Sequence, residues 1–311
     1  MKKLISIVTP TYNEIDNIEE FIRRVRLAIE TLEQYQFEIL VIDNCSKDGT
    51  QEKIRQLADT DRRIKAIFNA RNFGHIRSPY YGILQSQGDA TIYLASDLQD
   101  PPEMISEFIK AWEAGYKLVM AVKPVSKGNF LVHFLRRVYY RLIDGISEVE
   151  LIRDATGFGL YDKKVLDQLR EIDDPYPFLR GLVCELGYEV KTIPFIQPRR
   201  LGGITKNNFY TLFDIALLGI VSHSKVPIRL AAISGFLLGA VSFLVALVYL
   251  VLKIIFWNDF PLGSAPIVIG LFFLFGAQLF FIGIIGEYIG SIHTYVQKRP
   301  IVVEKERVNF D

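Results

Sequence analysis

The sequence predicts an α/β domain built on a mostly parallel sheet, followed by a two-helix transmembrane anchor. Two observations point to it. Over residues 1–195, short apolar runs of strand length alternate with longer segments whose apolar residues recur at helical spacing. Such alternation is the pattern of a sheet covered by helices on both faces. Downstream, Leu230–Leu252 and Phe260–Gly286 contain no charged residue. Each exceeds the ~20 apolar residues that carry a helix across a hydrocarbon core, a length over which soluble core helices seldom stay uncharged.

In chain order, Leu4–Thr9 reads as the first strand. Pro10 and the polar run Thr11–Asn17 end its apolar stretch too early for a secretory signal. Further strands are expected at Glu38–Ile42, Lys65–Phe68, Ala90–Ala95, Lys117–Val122 and Val190–Phe195. Helices are expected at Asn17–Leu32, Gly49–Asp59, Ser78–Gln87, Pro102–Ala114 and Lys127–Ile146. Pro101-Pro102 ends the fourth strand region and prepares a helical first turn. Phe209–His223 suits either an interfacial helix or a plain linker helix. The expected division is a cytoplasmic domain over 1–207, a juxtamembrane helix over 208–227, two transmembrane helices over 228–290 and a cytoplasmic tail over 291–311.

Orientation follows from the flanks. Lys206, Lys225 and Arg229 precede the first span, and Lys298, Arg299, Lys305 and Arg307 follow the second. The connection carries only Lys253 against Asp259, with Trp257 as an interface anchor. The excess of positive charge therefore predicts that domain and tail are cytoplasmic. Gly235, Gly239, Gly270, Gly276, Gly283, Gly286 and Gly290 would allow close helix approach in lipid and leave room for a homo-oligomer. So small a membrane part suits an anchor better than a transport pathway.

Composition narrows the chemistry. A net charge of +1 over 311 residues gives nucleic-acid binding no electrostatic support. Cys45 and Cys184 form neither a metal-binding nor a redox spacing. No Walker or dinucleotide-type glycine loop is present, which counts against kinases, ATPases and nicotinamide enzymes.

What remains is a set of polar clusters, one after each of the first four strands: Thr9–Glu14, Asp43–Thr50, Asn69–His75 and Ser96–Glu103. Singly, each reads as turn chemistry. Together, at one edge of a parallel sheet, they describe a single concave site where open α/β sheets bind ligands. Asp97 and Gln99 both offer oxygens that a hard divalent cation accepts. Tyr12 offers an aromatic face to a base, and Asp43 a carboxylate to a base or ribose.

At these residues the chain resembles the family-two, GT-A-fold glycosyltransferases. It is most similar to the polyprenyl-phosphate sugar transferases, the dolichol-phosphate mannose synthases and bactoprenol glucosyltransferases. The carriers are Ser6–Glu14, Val41–Thr50, Arg71–His75, Asp97–Glu103, Asp154–Gly159 and Arg200–Lys206, and the resemblance extends over essentially the whole chain. It implies a GT-A Rossmann-like sheet and transfer of a sugar, glucose from UDP-glucose in the first instance, to an undecaprenyl-type polyprenyl phosphate at the cytoplasmic membrane face. The transfer would be inverting and Mg2+- or Mn2+-dependent.

The resemblance implies that Pro10, Tyr12, Glu14, Asp43, Arg71, Asn72 and Ser96 bind the nucleotide sugar, and that Asp97 and Gln99 hold the metal. Asp97 and Asp154 are the catalytic candidates; Asp154 would orient an arginine or accept a proton, or is a plain surface aspartate. Arg137, Arg141, Arg200 and Lys206 suit the diphosphate and the anionic acceptor. The alternatives for these four are a solvated helix face and a juxtamembrane basic patch. Three departures from the family pattern stand out. Ala95 replaces the first carboxylate of the usual DxD triplet, Asn44 the second of paired aspartates, and Gly159 a common arginine. Mannose or a modified aminosugar as donor sugar, or a non-catalytic membrane scaffold, stay open as alternatives. A processive polysaccharide synthase does not fit, for its Gln-x-x-Arg-Trp motif is missing.

Overall fold

The computed structural model describes residues 2–123, 152, 155–198, 224–256 and 264–310. Its eight strands are β1 (Leu4–Thr11), β2 (Gln36–Asp43), β3 (Ile64–Asn69), β4 (Ala90–Tyr93), β5 (Leu118–Val122), β6 (Ala155–Asp162), β7 (Val190–Pro194) and β8 (Glu304–Val308). They form one sheet in the order β7-β5-β6-β4-β1-β2-β3-β8. The pairs β1–β2, β1–β4, β2–β3 and β5–β7 are parallel. The antiparallel pairs are β3–β8, β4–β6 and β5–β6. Six strands lie where the apolar runs predict them; β6 and β8 add to that expectation.

The helices of the α/β part are α1 (Ile18–Glu30), α2 (Thr50–Thr60), α3 (Gly74–Gln85), α4 (Ile105–Glu113), α5 (Lys163–Glu171) and α6 (Leu179–Glu185). A 3-10 turn at Pro102–Met104 leads into α4, with proline at its first positions as expected. Strand periodicity sorts the core into two layers. Ile5, Ile7, Ile39 and Val41 face one cluster with Phe21, Ile22 and Val25 of α1 and Phe108 and Ile109 of α4. Val8, Leu40 and Ile42 face the other, with Tyr80 and Ile83 of α3 and Val165, Leu166 and Leu169 of α5. Both faces of the central strands are therefore dry, which is why these strands read as continuous apolar runs.

β6 escapes that pattern because it carries Thr156, Gly157 and Gly159 among its apolar residues. It is wedged between β4 and β5, with Gly159 opposite both Tyr93 and Met120. A Cβ on Gly159 would come to 2.1 Å from the Val119 carbonyl oxygen. That close approach leaves no room for a side chain at position 159.

The C-terminal segment, expected as a tail, turns back onto the sheet. β8 lies along the β3 edge, and the Ala70 N–H donates to the Val303 carbonyl at 2.9 Å. Its sequence, Glu-Lys-Glu-Arg-Val, is too charged to read as a core strand. Side-chain pairing holds it instead: Arg55 to Glu306 at 2.8 Å, Tyr81 to Glu304 at 2.8 Å, and the Asn309 amide to the carbonyls of Ala58 and Ile64 at 2.9 and 2.8 Å.

Two long helices, α7 (Val226–Ile255) and α8 (Ser264–Val296), lie between β7 and β8 along the chain. Mean hydropathy reaches 2.5 in α7 and 1.6 over Phe273–Val296, and none of either apolar window is buried. Both are long and apolar enough to cross a membrane. Phe236, Phe243, Phe273 and Leu279 are exposed on the helices, an apolar surface of the kind that marks contact with a membrane or another protein. The Tyr288 hydroxyl donates to the Ser224 carbonyl at 2.7 Å, which brackets the late part of α8 to the approach to α7. A Cβ built on any of the seven helix glycines meets nothing within 4 Å, so contact between α7 and α8 does not depend on them.

Candidate functional site

The order β4-β1-β2-β3 is all parallel, so the C-terminal ends of these four strands share one edge. The chain winds one way from β1 to β3 and then crosses back over β1 to β4. The strand order therefore reverses between β1 and β4, where open α/β sheets place their ligand crevice. A cavity of about 350 Å³ opens there. Pro10, Thr11, Tyr12 and Glu14 line it after β1, Asn44 after β2, and Asn72, Gly74 and His75 after β3. Tyr93, Ala95, Ser96 and Asp97 line it from β4, with Ser78 and Pro79 from α3. All four clusters expected at this edge meet in it.

Local hydrogen bonds set the walls. The Ser96 hydroxyl donates to the Pro10 carbonyl at 3.0 Å, tying the β4 loop across the switch point to β1. Asn13, in the left-handed region at φ 53°, accepts from the Lys47 N–H at 2.9 Å, and its own N–H donates to the Ser46 hydroxyl at 2.8 Å. Glu14 is buried; it accepts from the Asn17 amide at 2.6 Å, and its N–H reaches the Thr50 hydroxyl at 3.0 Å. Burial works against the Asp48 carboxylate, yet hydrogen bonds from Thr50 and the Ile15 N–H hold its pKa below the usual range.

The Ser96–Glu103 segment is a tight loop rather than a plain turn. Leu98 is buried with φ at 61°, in the left-handed region that an L-residue seldom adopts. Asp100 closes the loop by accepting from the Ala95 N–H at 3.0 Å. Burial pushes the Asp100 carboxyl up to about 6, the neighbouring Asp97 charge adds to this, and the Ala95 N–H opposes it. The loop thus has a structural carboxylate, Asp100, directed inward, and Asp97 left on the cavity wall. Asp100, Tyr93 and His75 were not singled out from sequence; their place inside or beside the motifs was the only signal.

Three expected donor-site residues stand elsewhere. Asp43 is fully buried and does not line the cavity; its Oδ1 accepts from the Ser46 N–H at 3.0 Å and the Gln51 amide at 2.6 Å. Arg71 is exposed, with its guanidinium 4.1 Å from the Phe73 ring centroid and donating to the Asn72 carbonyl at 3.1 Å. Gln99 follows the cavity wall without lining it. Asp154, Arg137, Arg141, Arg200 and Lys206 lie outside the described residues, as do the expected helices Lys127–Ile146 and Phe209–His223 and the Trp257 connection.

Residues 6–170, more than half of the chain, match the family model for glycosyl transferase family 2. The chain belongs to that family. This glycosyltransferase is 34% identical over 307 residues to an uncharacterized glycosyltransferase, YkcC, of Bacillus subtilis (strain 168), covering 98% of this chain and 94% of that protein. It is 32% identical over 304 residues to a bactoprenol glucosyl transferase of Shigella phage SfX, covering 97% of this chain and 99% of the relative. Among solved structures, a mannosyltransferase from Pyrobaculum calidifontis in complex with GDP-Man and Mn2+ aligns at TM-score 0.47 and 13% identity, over 96% of this chain and 89% of its own.

The site can be tested against the metal that the resemblance implies. Among the described residues no three His, Cys, Asp or Glu side chains gather. The described residues thus offer no dedicated all-protein cage. Magnesium in phosphate-transfer sites is commonly held by one or two carboxylates plus the substrate's own phosphates, and Asp97 fits that mode. Its Oδ1 accepts from the Gln99 N–H at 3.1 Å, which orients the carboxylate on the wall.

Proposed function

We propose that this glycosyltransferase moves a sugar from a nucleotide diphosphate, UDP-glucose in the first instance, to a polyprenyl phosphate at the cytoplasmic face of a membrane. The observation that carries the reading is the pairing, in one chain, of a family-two site at the sheet edge with two apolar helices of spanning length. Relatives named bactoprenol glucosyl transferase, aligned over nearly the whole chain, support the lipid acceptor. Charge at the helix flanks supports a multi-pass arrangement with the α/β domain on the cytoplasmic side.

In this reading the cavity holds the nucleotide, with Tyr12 against the base and the Asn72–His75 wall beside it. Asp97, with Gln99 beyond it, would hold Mg2+ or Mn2+ in this site. A bound divalent cation would neutralise charge on the departing diphosphate. The acceptor phosphate needs little help from a general base, since its second pKa of roughly 6 leaves it largely ionised near neutral pH. Its oxygen forms the new bond to the anomeric carbon as the bond to the diphosphate oxygen breaks, and the nucleoside diphosphate leaves with that electron pair. One displacement inverts the anomeric centre. Arg137, Arg141, Arg200 and Lys206 would gather the two anionic reactants.

Full-length protein in lipid or detergent, given labelled UDP-glucose, magnesium and undecaprenyl phosphate, is expected to produce a lipid-linked label. Label from GDP-mannose or an aminosugar nucleotide instead would change the sugar and keep the reaction. No label from any donor in the panel would overturn the reading.

A further inference from the structure

The Asn44 side chain is buried at 6% exposure between the ends of β2 and β3, and all four of its hydrogen-bonding positions are used. Its Nδ2 donates to the Asn72 Oδ1 at 2.9 Å and to the Gly74 carbonyl at 3.1 Å. Its Oδ1 accepts from the Phe73 N–H at 2.8 Å and from the Asn69 Nδ2 at 3.1 Å. The assignment of oxygen and nitrogen is not arbitrary. The Phe73 N–H can only donate and the Gly74 carbonyl can only accept, so the amide has one orientation that satisfies both.

We propose that Asn44 is the positioning residue that shapes the Asn72–His75 wall of the donor pocket, and that this chain requires an amide there. The inference rests on the donor-binding reading of the cavity above. A carboxylate has two acceptors and no donor when ionised. At position 44 it would oppose the Asn72 oxygen and the Gly74 carbonyl with oxygen, replacing two donated hydrogen bonds of the bracket with acceptor–acceptor contacts. The wall is built to depend on the bracket. Asn72 is used twice, its Oδ1 also accepting from the Gly74 N–H at 2.8 Å. Gly74 sits at φ +87°, and Asn69 extends the chain of bonds to the Ser78 hydroxyl at 3.0 Å. Asn44 therefore replaces an aspartate with an added function, two donors, rather than with a lost charge alone.

The test compares wild type, Asn44→Asp, Asn44→Ala, Asn72→Ala and the Asn44→Ala/Asn72→Ala pair as full-length proteins. Titration with UDP should show Asn44→Asp weakened about tenfold or more, the order of one to two hydrogen bonds lost. The donor KM should rise by a larger factor than kcat falls. Asn44→Ala and Asn72→Ala should be non-additive, since both break one bracket. Amide exchange should accelerate in segment 70–78 of Asn44→Asp while β1 and β2 stay protected, a readout that needs no ligand. Wild-type exchange and UDP affinity in Asn44→Asp, or additive single variants, would overturn the proposal. A general loss of protection across the sheet would do so too, by making Asn44 a stability residue. If wild type binds UDP and transfers no sugar, the reaction reading fails and these binding and exchange results still decide the role of Asn44.

Discussion

Strand β2 carries a buried carboxylate near each end, and the fold treats the two in opposite ways. Glu38, at the start, accepts from the Ser6 hydroxyl and the Gln87 N–H and pairs with Lys65 Nζ at 2.7 Å. Asp43, at the end, has two bonds on Oδ1, but its buried Oδ2 has no partner among the described residues. Burial pushes the Asp43 carboxyl up, against the opposing hydrogen bonds from Ser46 and Gln51. The N-terminal edge of the sheet is thus electrostatically closed and the C-terminal edge is left open. Buried charge that is fully compensated serves the scaffold; polar capacity left unused lies beside the cavity.

The sharpest way to break that contrast is at Asp97. Asp97→Asn keeps the shape and removes the charge from the cavity wall. Turnover should fall by about 100-fold or more, the scale seen when one group stabilising transition-state charge is lost. The melting temperature should hardly move. Turnover near the wild-type level would remove Asp97 from the chemistry.

At the closed edge the expectation reverses. Glu38→Ala leaves Lys65 and the Ser6 hydroxyl without their partner, and stability should drop by about 3 kcal/mol, as when one member of a buried ion pair is deleted. Nucleotide affinity of the folded protein should stay the same. If denaturant unfolding were unaffected while nucleotide binding weakened, the two edges would not differ as described.

A smaller effect is expected at Asp43. Its folded pKa lies above the ordinary carboxylate value, so the folded state holds its proton over a range where the unfolded chain has released it. Stability then falls as pH rises through that window. Asp43→Asn should abolish this contribution, making the variant at least as stable as wild type at pH 7 and removing its relative gain on acidification. Unfolding curves at pH 4 to 7 would check it. A variant markedly less stable at pH 7 would show that the ionised carboxylate is satisfied in the fold.

Residue pattern made much of this legible. Ile5, Ile7, Ile39 and Val41 on one face and Val8, Leu40 and Ile42 on the other announce strands buried on both sides. The four polar clusters announced a common edge, and one cavity collects them. Less was readable where contacts replace pattern. Gly157 and Gly159 hide β6, since a strand squeezed between two backbones needs small residues rather than apolar ones. Charge hides β8, because an edge strand held by Arg55, Tyr81 and Asn309 need not be hydrophobic. Asn44 read only as a missing carboxylate, and its donors became visible once Asn72 and Gly74 were placed opposite it.

By itself the sequence determined the α/β class, the sheet edge that carries the site, and two helices of membrane-spanning length. These depend on periodicity and on runs of one residue type, which are local properties. Tertiary structure alone decided which side chains line the cavity, that Asp43 and Asp100 are buried beside it while Asp97 faces it, and that Glu304–Val308 add an edge strand on β3. Those outcomes depend on hydrogen-bond partners far apart in the chain, and on burial that a one-dimensional pattern does not encode.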